Sequence, residues 1–525
     1  MKVAVAQLNY VIGDFDAGKA KIIESVDRAR RSGADLVVFA EHAIEGTPAY
    51  DLLGKVTFLE RCEDALVEIA SHCDDISVLI GLPIQSGAET ISAVALIQNR
   101  RIIRYIGKKS ITSPDEKLCL ASSKGCEYVR IAGKKMAVVV GEDIDEDQQY
   151  GEYADIIVNP IADPYCRGVV ESRYRKYGKV AYTSAKPTVY VNQVGAQTDV
   201  VYDGSSAVFD GRGEAICLLK NFEEDFAVVD LDADNKPLEI PYQNKTANVF
   251  KAIKLGLADY FSKNGFQKAC IGLSGGIDSA VVAAMAVETL GRERVRLLMM
   301  PSQFSTDHSV ADAVDMAERM GVEYDVIPIM EAYKSITETM LPILGGTPFG
   351  LAEENIQARI RCVMLMAVFN KFGHIVLNTS NKSELAIGYG ALYGDDIGAI
   401  SILGDLYKCE IYDLARYINR EREIIPENIL LKAPSAELRP GQLDTDALPP
   451  YEVVDSVLYR MIEEGQHREE IIGAGFDAEV VYRIHRMLVR SQYKRFQFCP
   501  TLRLSTRPLH QGVIMPFTSK YGFNY

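Results

Sequence analysis

Short runs of apolar residues alternate, over the first 230 positions, with stretches in which apolar residues recur every three or four positions. Short apolar runs are typical of buried strands, and the longer spacing is typical of amphipathic helices. One such helix is predicted over residues 19–31, where Ile22, Val26 and Ala29 share a face. The alternation predicts a layered α/β domain. The strands are predicted at residues 3–8, 35–40, 78–82, 93–98, 102–105, 135–140, 155–159, 189–192 and 207–210.

The pattern breaks at residues 230–241, an acidic stretch with two prolines that predicts a linker. A helix is predicted to begin near Thr246, with Val249, Ile253 and Leu257 on one face. Further strands are predicted near residues 269–273, 296–300, 323–329 and 375–378. This second half reads as a doubly wound parallel sheet. We therefore predict a first domain at 1–232, a linker at 233–245 and a second domain at 246–525.

Composition narrows the class of protein. A chain of 525 residues is too long for one core. Its net charge of −15 argues against nucleic acid as a partner. The ten cysteines form no C-x-x-C pair and are typical of free thiols in a reducing cytosol. Apolar runs are too short for a signal peptide or a membrane span. We expect a cytoplasmic protein with no membrane partner.

The most informative motif is the run from Ser274 to Ser279, Ser-Gly-Gly-Ile-Asp-Ser, between a predicted strand and a predicted helix. Two glycines allow a tight turn and a close backbone approach to a ligand. The two serines and the N–H groups of the helix start would face one anion. An ordinary glycine-rich turn is the alternative interpretation. The run resembles the pyrophosphate-binding loop of the ATP pyrophosphatases.

Further polar segments follow in the second half, and each alone could be a solvated loop. Together, in this order and spacing, they resemble the NAD⁺ synthetase family over residues 246–515. The resemblance implies that the carboxylate of deamido-NAD⁺ attacks the α-phosphate of ATP, that pyrophosphate leaves, and that ammonia displaces AMP. The segments are residues 354–361, 378–384, 393–396, 405–408, 434–438 and 493–495.

Roles for individual residues follow from this resemblance. It implies ATP and Mg²⁺ as cofactors, with Asp278 and Glu384 as metal ligands and Asp278, Glu384 and Lys408 as catalytic groups. Arg359 and Arg361 are weaker candidates, since arginines on a helix surface are usually solvated. The implied ATP-binding residues are Ser274, Gly275, Gly276, Ile277, Asp278, Ser279 and Thr379, and those for deamido-NAD⁺ are Asn355, Glu384, Asp395, Lys408 and Lys494.

The first half resembles the nitrilase superfamily, specifically the glutaminase domain of glutamine-dependent NAD⁺ synthetases. The implied fold is a four-layer αββα sandwich. Members use a Glu base, a Lys that stabilises the tetrahedral intermediate, and a Cys nucleophile. Glu41 falls on the base, and Lys108 on the lysine, with Lys109 as an alternative. Gly141 stands where the family has its cysteine, so no thioester can form there.

The departures extend beyond the nucleophile. A segment that carries a glutamine-contacting tyrosine in the family is here the shorter run 111–116, and the tyrosine is missing from it. Asp163 replaces a glutamine-binding serine, and Val169 stands where Lys or Arg is usual. Residues 195–199 depart from the family's Gly-Gly-Gln-Asp-Glu. Cys119 and Cys166 lie near these motifs in the sequence, but no feature of the sequence indicates that either thiol is a nucleophile. We therefore favour natural loss of glutaminase activity.

Three functions remain open at this point. The leading one is an ammonia-using NAD⁺ synthetase with a silent nitrilase-like domain. The second is a glutamine-dependent synthetase in which Gly141 is engineered or compensated, and the third is a non-catalytic nucleotide-binding scaffold. The small-molecule partners would be deamido-NAD⁺, ATP and ammonia or glutamine. The resemblance also implies a homo-oligomer built on a dimer of synthetase domains, possibly an octamer.

Overall fold

The computed structural model describes residues 1–113, 116–145, 150–509 and 512–518. Pro114 and Asp115, which belong to the shortened run 111–116, lie outside the described residues. The chain divides into two compact units, Met1–Gln243 and Asn244–Tyr525. The division falls within residues 233–245. No helix among the described residues combines the length and the apolar character needed to cross a membrane.

The first unit contains fourteen strands and four α-helices among its described residues. In chain order they are β1 Lys2–Gln7, α1 Phe15–Arg31, β2 Leu36–Val38, α2 Val56–Ser71, β3 Ser77–Ser86, β4 Glu89–Gln98, β5 Arg101–Gly107, β6 Glu127–Ile131, β7 Lys134–Val138, α3 Tyr150–Tyr153, β8 Ile156–Ile161, α4 Val169–Ser184, β9 Thr188–Asn192, β10 Val194–Gln197, β11 Val200–Asp203, β12 Ala207–Phe209, β13 Ala215–Leu218 and β14 Asp225–Asp230.

Two six-stranded sheets form the middle of this unit, in the orders β14-β1-β2-β3-β4-β5 and β13-β12-β9-β8-β7-β6. Alternate residues of their strands, such as Val5 and Val38 on one sheet and Val138 and Val158 on the other, share a buried core. Helices α1 and α2 cover the outer face of the first sheet, and α3 and α4 cover that of the second. The predicted four-layer αββα sandwich is confirmed.

The second unit contains five strands and twelve α-helices among its described residues. In chain order they are α5 Lys245–Asn264, β15 Ala269–Gly272, α6 Ile277–Leu290, β16 Val295–Met299, α7 Asp307–Met320, β17 Glu323–Val326, α8 Met330–Leu344, α9 Leu351–Phe372, β18 Ile375–Asn378, α10 Lys382–Ile387, β19 Ile400–Ser401, α11 Lys408–Ile418, α12 Glu427–Leu431, α13 Tyr451–Ile462, α14 Arg468–Gly473, α15 Ala478–Arg490 and α16 Gln492–Arg495.

The sheet of this unit has the order β17-β16-β15-β18-β19, and every pair is parallel. This confirms the predicted parallel sheet. Strand β15 lies in its middle, next to both β16 and β18. The strand order reverses there, because the chain first proceeds to β16 and later returns to β18. Such a switch point leaves a crevice at the carboxyl ends of the strands, where ligands bind.

The elements differ in places from the sequence-based expectation. Strand β14 pairs antiparallel with β1, although no strand was predicted between residues 210 and 269. Strand β17 ends at Val326 rather than at residue 329, close to Pro328, which has no N–H for a sheet. Helices α2 and α4 were also not delimited. Their apolar residues became recognisable as core only once a sheet lay beneath them.

Candidate active site

The Ser274 to Ser279 run forms a turn from the carboxyl end of β15 into the first turn of α6. Gly275 has φ +81°, and a Cβ there would lie 2.3 Å from the carbonyl oxygen of Ser309. Only glycine fits that position. The Ser279 hydroxyl accepts from the Ser274 N–H at 3.2 Å and lies 3.0 Å from the Ser274 hydroxyl. The turn thus presents hydroxyls and a helix N-terminus to the crevice.

Lys408 forms the centre of the charged part of this site. Its Nζ lies 2.6 Å from Asp278 Oδ2 and 3.1 Å from Glu384 Oε1. Burial lowers the pKa of Lys408, but the two carboxylates outweigh burial and raise it. Burial has the opposite effect on an acid and raises the pKa of Glu384 to about 8, although the Lys408 ammonium group opposes that shift. An ammonium group therefore lies between two acidic side chains, which favour its charged form.

Hydrogen bonds from neighbouring elements hold Asp278 and Glu384 in place. Asn381 precedes α10, and its side chain accepts from the Glu384 N–H at 2.9 Å. The same side chain donates to Asp278 Oδ1 at 3.0 Å. One amide thus joins the helix that carries Glu384 to the carboxylate on α6. The predicted segment 378–384 therefore contains a positioning residue that sequence reasoning did not single out.

Lys408 is oriented through the start of α11. Its N–H donates to Ser383 Oγ at 2.9 Å, and that hydroxyl donates to Asp455 Oδ1 at 2.5 Å. The other oxygen of Asp455 accepts from the Cys409 N–H at 2.8 Å. Asp455 therefore satisfies the Cys409 N–H directly and supports the Lys408 N–H through Ser383, at a helix start whose N–H groups have no partner within the helix. Nothing in the sequence near residue 455 indicated this contribution.

Asp278, Glu384 and Lys408 line a cavity of about 290 Å³ at the carboxyl edge of the sheet. Of the residues predicted for the site, the lining contains the whole Ser274 to Ser279 loop together with Thr379, Glu384, Asp395 and Lys408. Asn355 and Lys494 are outside that lining. The structure thus brings the predicted ATP-binding residues together with three of the five that the resemblance implied for deamido-NAD⁺.

Lys494 lies outside the lining of this cavity. Its Nζ donates to the carbonyl oxygens of Gly388 at 2.8 Å and Gly390 at 2.6 Å. It thereby holds the segment that follows α10. Asn355 lies half-buried in the first turns of α9. Asp395 has an exposed side chain, and its Oδ2 accepts from the Ala391 N–H at 3.0 Å.

Arg359 and Arg361, the two weaker candidates from the sequence, have different environments in the structure. Arg359 is exposed and donates to the carbonyl oxygen of Leu392 at 3.2 Å. Arg361 lines the cavity and donates to the carbonyl oxygen of Met300 at 2.9 Å. Burial lowers the pKa of Arg361. Arg361 is therefore the better placed of the two to meet a ligand.

Asp444 also lines the cavity, and no role was predicted for it. Its two oxygens accept from the hydroxyl groups of Tyr389 at 3.1 Å and Tyr451 at 3.0 Å. The ring of Tyr451 lies 5.1 Å from Lys408 Nζ, a cation–π arrangement. No spacing in the sequence links these residues, because their three segments meet only in the fold.

In the first unit, Glu41, Lys108 and Gly141 meet at one point. Lys108 Nζ lies 3.1 Å from Glu41 Oε1 and 2.6 Å from Glu142 Oε2. Gly141 has φ +57°, and a Cβ there would lie 2.8 Å from both Glu41 Oε2 and Lys108 Cε. The Lys108 side chain, rather than that of Lys109, occupies this position. The structure therefore brings together a base and a lysine around a residue without a side chain.

The same cluster contains a histidine that sequence reasoning missed. His42 Nδ1 lies 2.5 Å from Glu45 Oε1, and His42 Nε2 lies 3.2 Å from Glu41 Oε1. Burial lowers the pKa of His42, but the two glutamates outweigh burial and raise it. No sequence motif indicated His42. The loop after β2 brings its ring against Glu41 and Glu45. The result is a buried ionic network beside Gly141.

The neighbouring departures from the family also adopt defined structures. Asp163 Oδ2 accepts from Arg173 Nε at 2.8 Å, and Arg173 also pairs with Asp203 at 3.0 Å. Val169 is the first residue of α4. Burial raises the pKa of the Cys166 thiol to about 11, so this thiol is a poor nucleophile.

The fold defines a two-domain α/β protein with a nitrilase-like unit and a doubly wound parallel-sheet unit. A family model described as NAD synthase matches residues 249–497. Glutamine-dependent NAD(+) synthetases of a Synechocystis strain and of Thermotoga maritima are each 37% identical, over 99% of this chain and 99% of their own length.

A solved structure has the same architecture. The glutamine-dependent NAD⁺ synthetase of Acinetobacter baumannii, in complex with ADP, is 33% identical and covers 98% of each chain with a TM-score of 0.79. This chain belongs to the glutamine-dependent NAD⁺ synthetase family. It is a carbon–nitrogen ligase with NAD⁺ synthetase function.

Proposed function

We propose that this NAD⁺ synthetase takes free ammonia as its nitrogen donor and that the nitrilase-like unit is catalytically silent. The observation that carries the proposal is Gly141. Glu41 and Lys108 lie close to it, but glycine has no thiolate with which to attack glutamine. The changes at Asp163 and Val169 support a loss of the whole glutamine site.

We propose that the reaction in the second unit proceeds through an adenylate. A carboxylate oxygen of deamido-NAD⁺ would attack the α-phosphorus of ATP and release pyrophosphate. Ammonia would then attack the acyl carbon, AMP would leave with the C–O electron pair, and the nitrogen would lose a proton. The Ser274 to Ser279 loop and Thr379 would hold ATP, as supported by the A. baumannii relative, which was solved with ADP.

Lys408 is suited to stabilise the negative charge that develops during both steps. Its ammonium group is buried and close to two carboxylates, so it would be oriented before the reaction begins. Asp395, Asn355 and Lys494 would contact deamido-NAD⁺, with Glu384 and Lys408 shared between the two substrates.

Asp278 and Glu384 fit a Mg²⁺ ion. Both side chains line the same cavity and contact the same Lys408 nitrogen, so each would offer an oxygen to one ion bound beside that ammonium group. Mg²⁺ usually takes one or two carboxylates and completes its shell with water and phosphate oxygens. When bound, Mg²⁺ would supply positive charge to the leaving pyrophosphate.

The nitrogen donor is tested directly by turnover. With ATP, Mg²⁺ and deamido-NAD⁺, ammonium is expected to support NAD⁺ formation, whereas glutamine freed of ammonia is expected to be about 10⁴-fold or more less effective, because the nucleophile is missing. NAD⁺ and glutamate would be quantified by chromatography. Glutamate formation in step with NAD⁺ would overturn the proposal, and a lack of AMP and pyrophosphate with either donor would favour the scaffold alternative.

A Gly141→Cys variant separates natural loss from engineered loss. We expect it to remain inactive with glutamine, because the new Cβ would meet Lys108 and Glu41 and the glutamine contacts are changed as well. Full glutaminase activity in this variant would instead indicate an intact pocket. Ammonium-driven turnover of the same variant serves as its control for folding.

We also propose that the second unit forms a homodimer through α8 and α9. Helix α8 buries none of its residues, although Ile336, Leu341 and Ile343 are apolar and exposed. Val363 on α9 is 68% exposed. Apolar patches of this kind usually mark an interface with another chain.

The substitution Ile343→Glu is expected to shift the protein towards a smaller assembly, because a charge would be buried in the proposed interface. Sedimentation velocity would measure the change. Ile103→Glu, at an exposed position of β5 in the first unit, is the matched control. An unchanged sedimentation coefficient for Ile343→Glu would contradict this assignment.

A further inference from the structure

The carboxylate of Glu437 occupies a cradle of hydrogen-bond donors at the start of α7. Its Oε1 accepts from Lys432 Nζ at 2.5 Å, from Ser309 Oγ at 2.6 Å and from Thr306 Oγ1 at 3.1 Å. Its Oε2 accepts from the Thr306 N–H at 3.2 Å. An ammonium group, two hydroxyls and a backbone N–H therefore converge on one anion. These are also the groups with which proteins bind phosphate.

The cradle adjoins the glycine-rich loop. Ser309, Lys432 and Glu437 line the same cavity as Ser274 to Ser279. The carbonyl oxygen of Ser309 is the atom that a Cβ at Gly275 would meet at 2.3 Å. A polyphosphate held at the loop would therefore extend close to Lys432.

The positive charge available in this cavity is limited. Its cationic lining residues among the described part of the chain are Arg361, Lys408 and Lys432. Lys408 is engaged by Asp278 and Glu384, and Arg361 donates to a carbonyl group. Lys432 is 29% exposed and pairs with Glu437, an acid from its own segment. It is thus the cation whose partner a ligand phosphate could replace.

Glu437 itself is held against a backbone preference. Its φ of +49° lies in the left-handed region, which non-glycine residues usually avoid. Burial opposes ionisation of Glu437, but the hydrogen bonds from Lys432 and Ser309 lower its pKa. The hydrogen bonds of the cradle therefore favour the charged form of Glu437.

We propose that Lys432 and Ser309 bind the outer phosphates of ATP and the pyrophosphate product, and that Glu437 fills their place in the nucleotide-free protein. This inference rests on the proposed function of the loop. Nucleotide binding would then displace Glu437 and move the adjoining segment. That segment contacts α9, where Gln357 Nε2 donates to the carbonyl oxygen of Leu438 at 2.8 Å. ATP binding would thereby be linked to the α9 side of the cavity.

Titration calorimetry of the full chain with inorganic pyrophosphate in Mg²⁺ buffer tests the proposal. Lys432→Met is expected to weaken binding by about tenfold or more, the loss of a hydrogen bond to a charged group. Glu437→Gln is expected to tighten it about three- to tenfold, because the competing anion is neutralised. In the Lys432→Met background, Glu437→Gln is expected to have a smaller effect, because Glu437 then competes with pyrophosphate only for Ser309 and Thr306.

Two controls separate binding from structure. Glu423→Gln neutralises an acid that pairs with Arg319 on α7, the helix that carries Ser309. This variant is expected to leave pyrophosphate binding unchanged. AMP, which has no outer phosphates, is expected to bind all variants equally. Ser309→Ala provides a second test should Lys432→Met fail to fold, with weaker pyrophosphate binding expected.

Several results would overturn the inference. One is that Lys432→Met and Ser309→Ala bind pyrophosphate as tightly as the parent protein does. Another is that Glu437→Gln binds pyrophosphate more weakly than the parent protein. A third is that a substitution changes the affinities for AMP and for pyrophosphate by the same factor. Failure of the proposed function gives a different pattern, since neither pyrophosphate nor an ATP analogue would then bind the parent protein.

Discussion

Replacement of Lys408 with methionine is expected to lower the rate of ATP-dependent NAD⁺ formation by about 10³-fold or more. Methionine fills a similar volume but has no charge. The ammonium group lies between Asp278 and Glu384 in a buried site, where an oriented charge interacts strongly with the transition state. Its loss would also leave two carboxylates facing the incoming polyphosphate. We therefore expect kcat to fall and the KM for ATP to rise.

Steady-state kinetics with ammonium as donor would measure this effect. Lys254→Met is the matched control, since Lys254 forms an exposed pair with Glu288 on α6 and the same atoms are removed. Pyrophosphate release should fall in parallel with NAD⁺ formation. A kcat within tenfold of the parent value, in a folded Lys408→Met variant, would show that Lys408 does not act in the chemical steps.

Replacement of Lys382 with methionine is expected to lower the free energy of unfolding of the second unit by about 3 to 5 kcal/mol. The side chain of Lys382 is fully buried, and its Nζ lies 2.8 Å from Asp405 Oδ1 and 2.5 Å from Glu463 Oε1. It also donates to Ser505 Oγ at 2.7 Å. Methionine would leave two buried carboxylates without a counter-charge, and this costs far more than the pair itself contributes.

Differential scanning calorimetry suits this measurement, because the chain contains no tryptophan to report unfolding by fluorescence. Lys254→Met again provides the comparison, with an expected cost below about 1 kcal/mol, as for other exposed pairs. We expect only the transition of the second unit to move. A change below 1 kcal/mol for Lys382→Met would mean that the network does not stabilise this unit.

Much of the fold was predictable because local patterns agree with it. The buried strands β1, β8 and β15 were apparent as short apolar runs, and the Ser274 to Ser279 turn carried its own chemistry. Strand β14 was missed because it pairs with β1, which is distant in sequence. Helices α2 and α4 were not delimited, although the alternation predicted helices between the strands and both contact the strand that follows them. The residues of the Ser274 to Ser279 motif all line one cavity, whereas Asn355 and Lys494, which were predicted from separate segments, lie outside its lining.

The sequence by itself determined the two α/β units, the glycine-rich loop and the absence of a thiol at position 141. These follow from residue types and short spacings, which local physical chemistry can interpret. Only the tertiary structure decided that Asn381 joins Asp278 to the helix of Glu384, and that Asp455 orients Lys408. It also decided that Glu437 occupies a cradle beside the loop and that Lys108 lies against Gly141. Those contacts join segments far apart along the chain, and no local pattern encodes the distance between two side chains until the sheet and its helices bring them together.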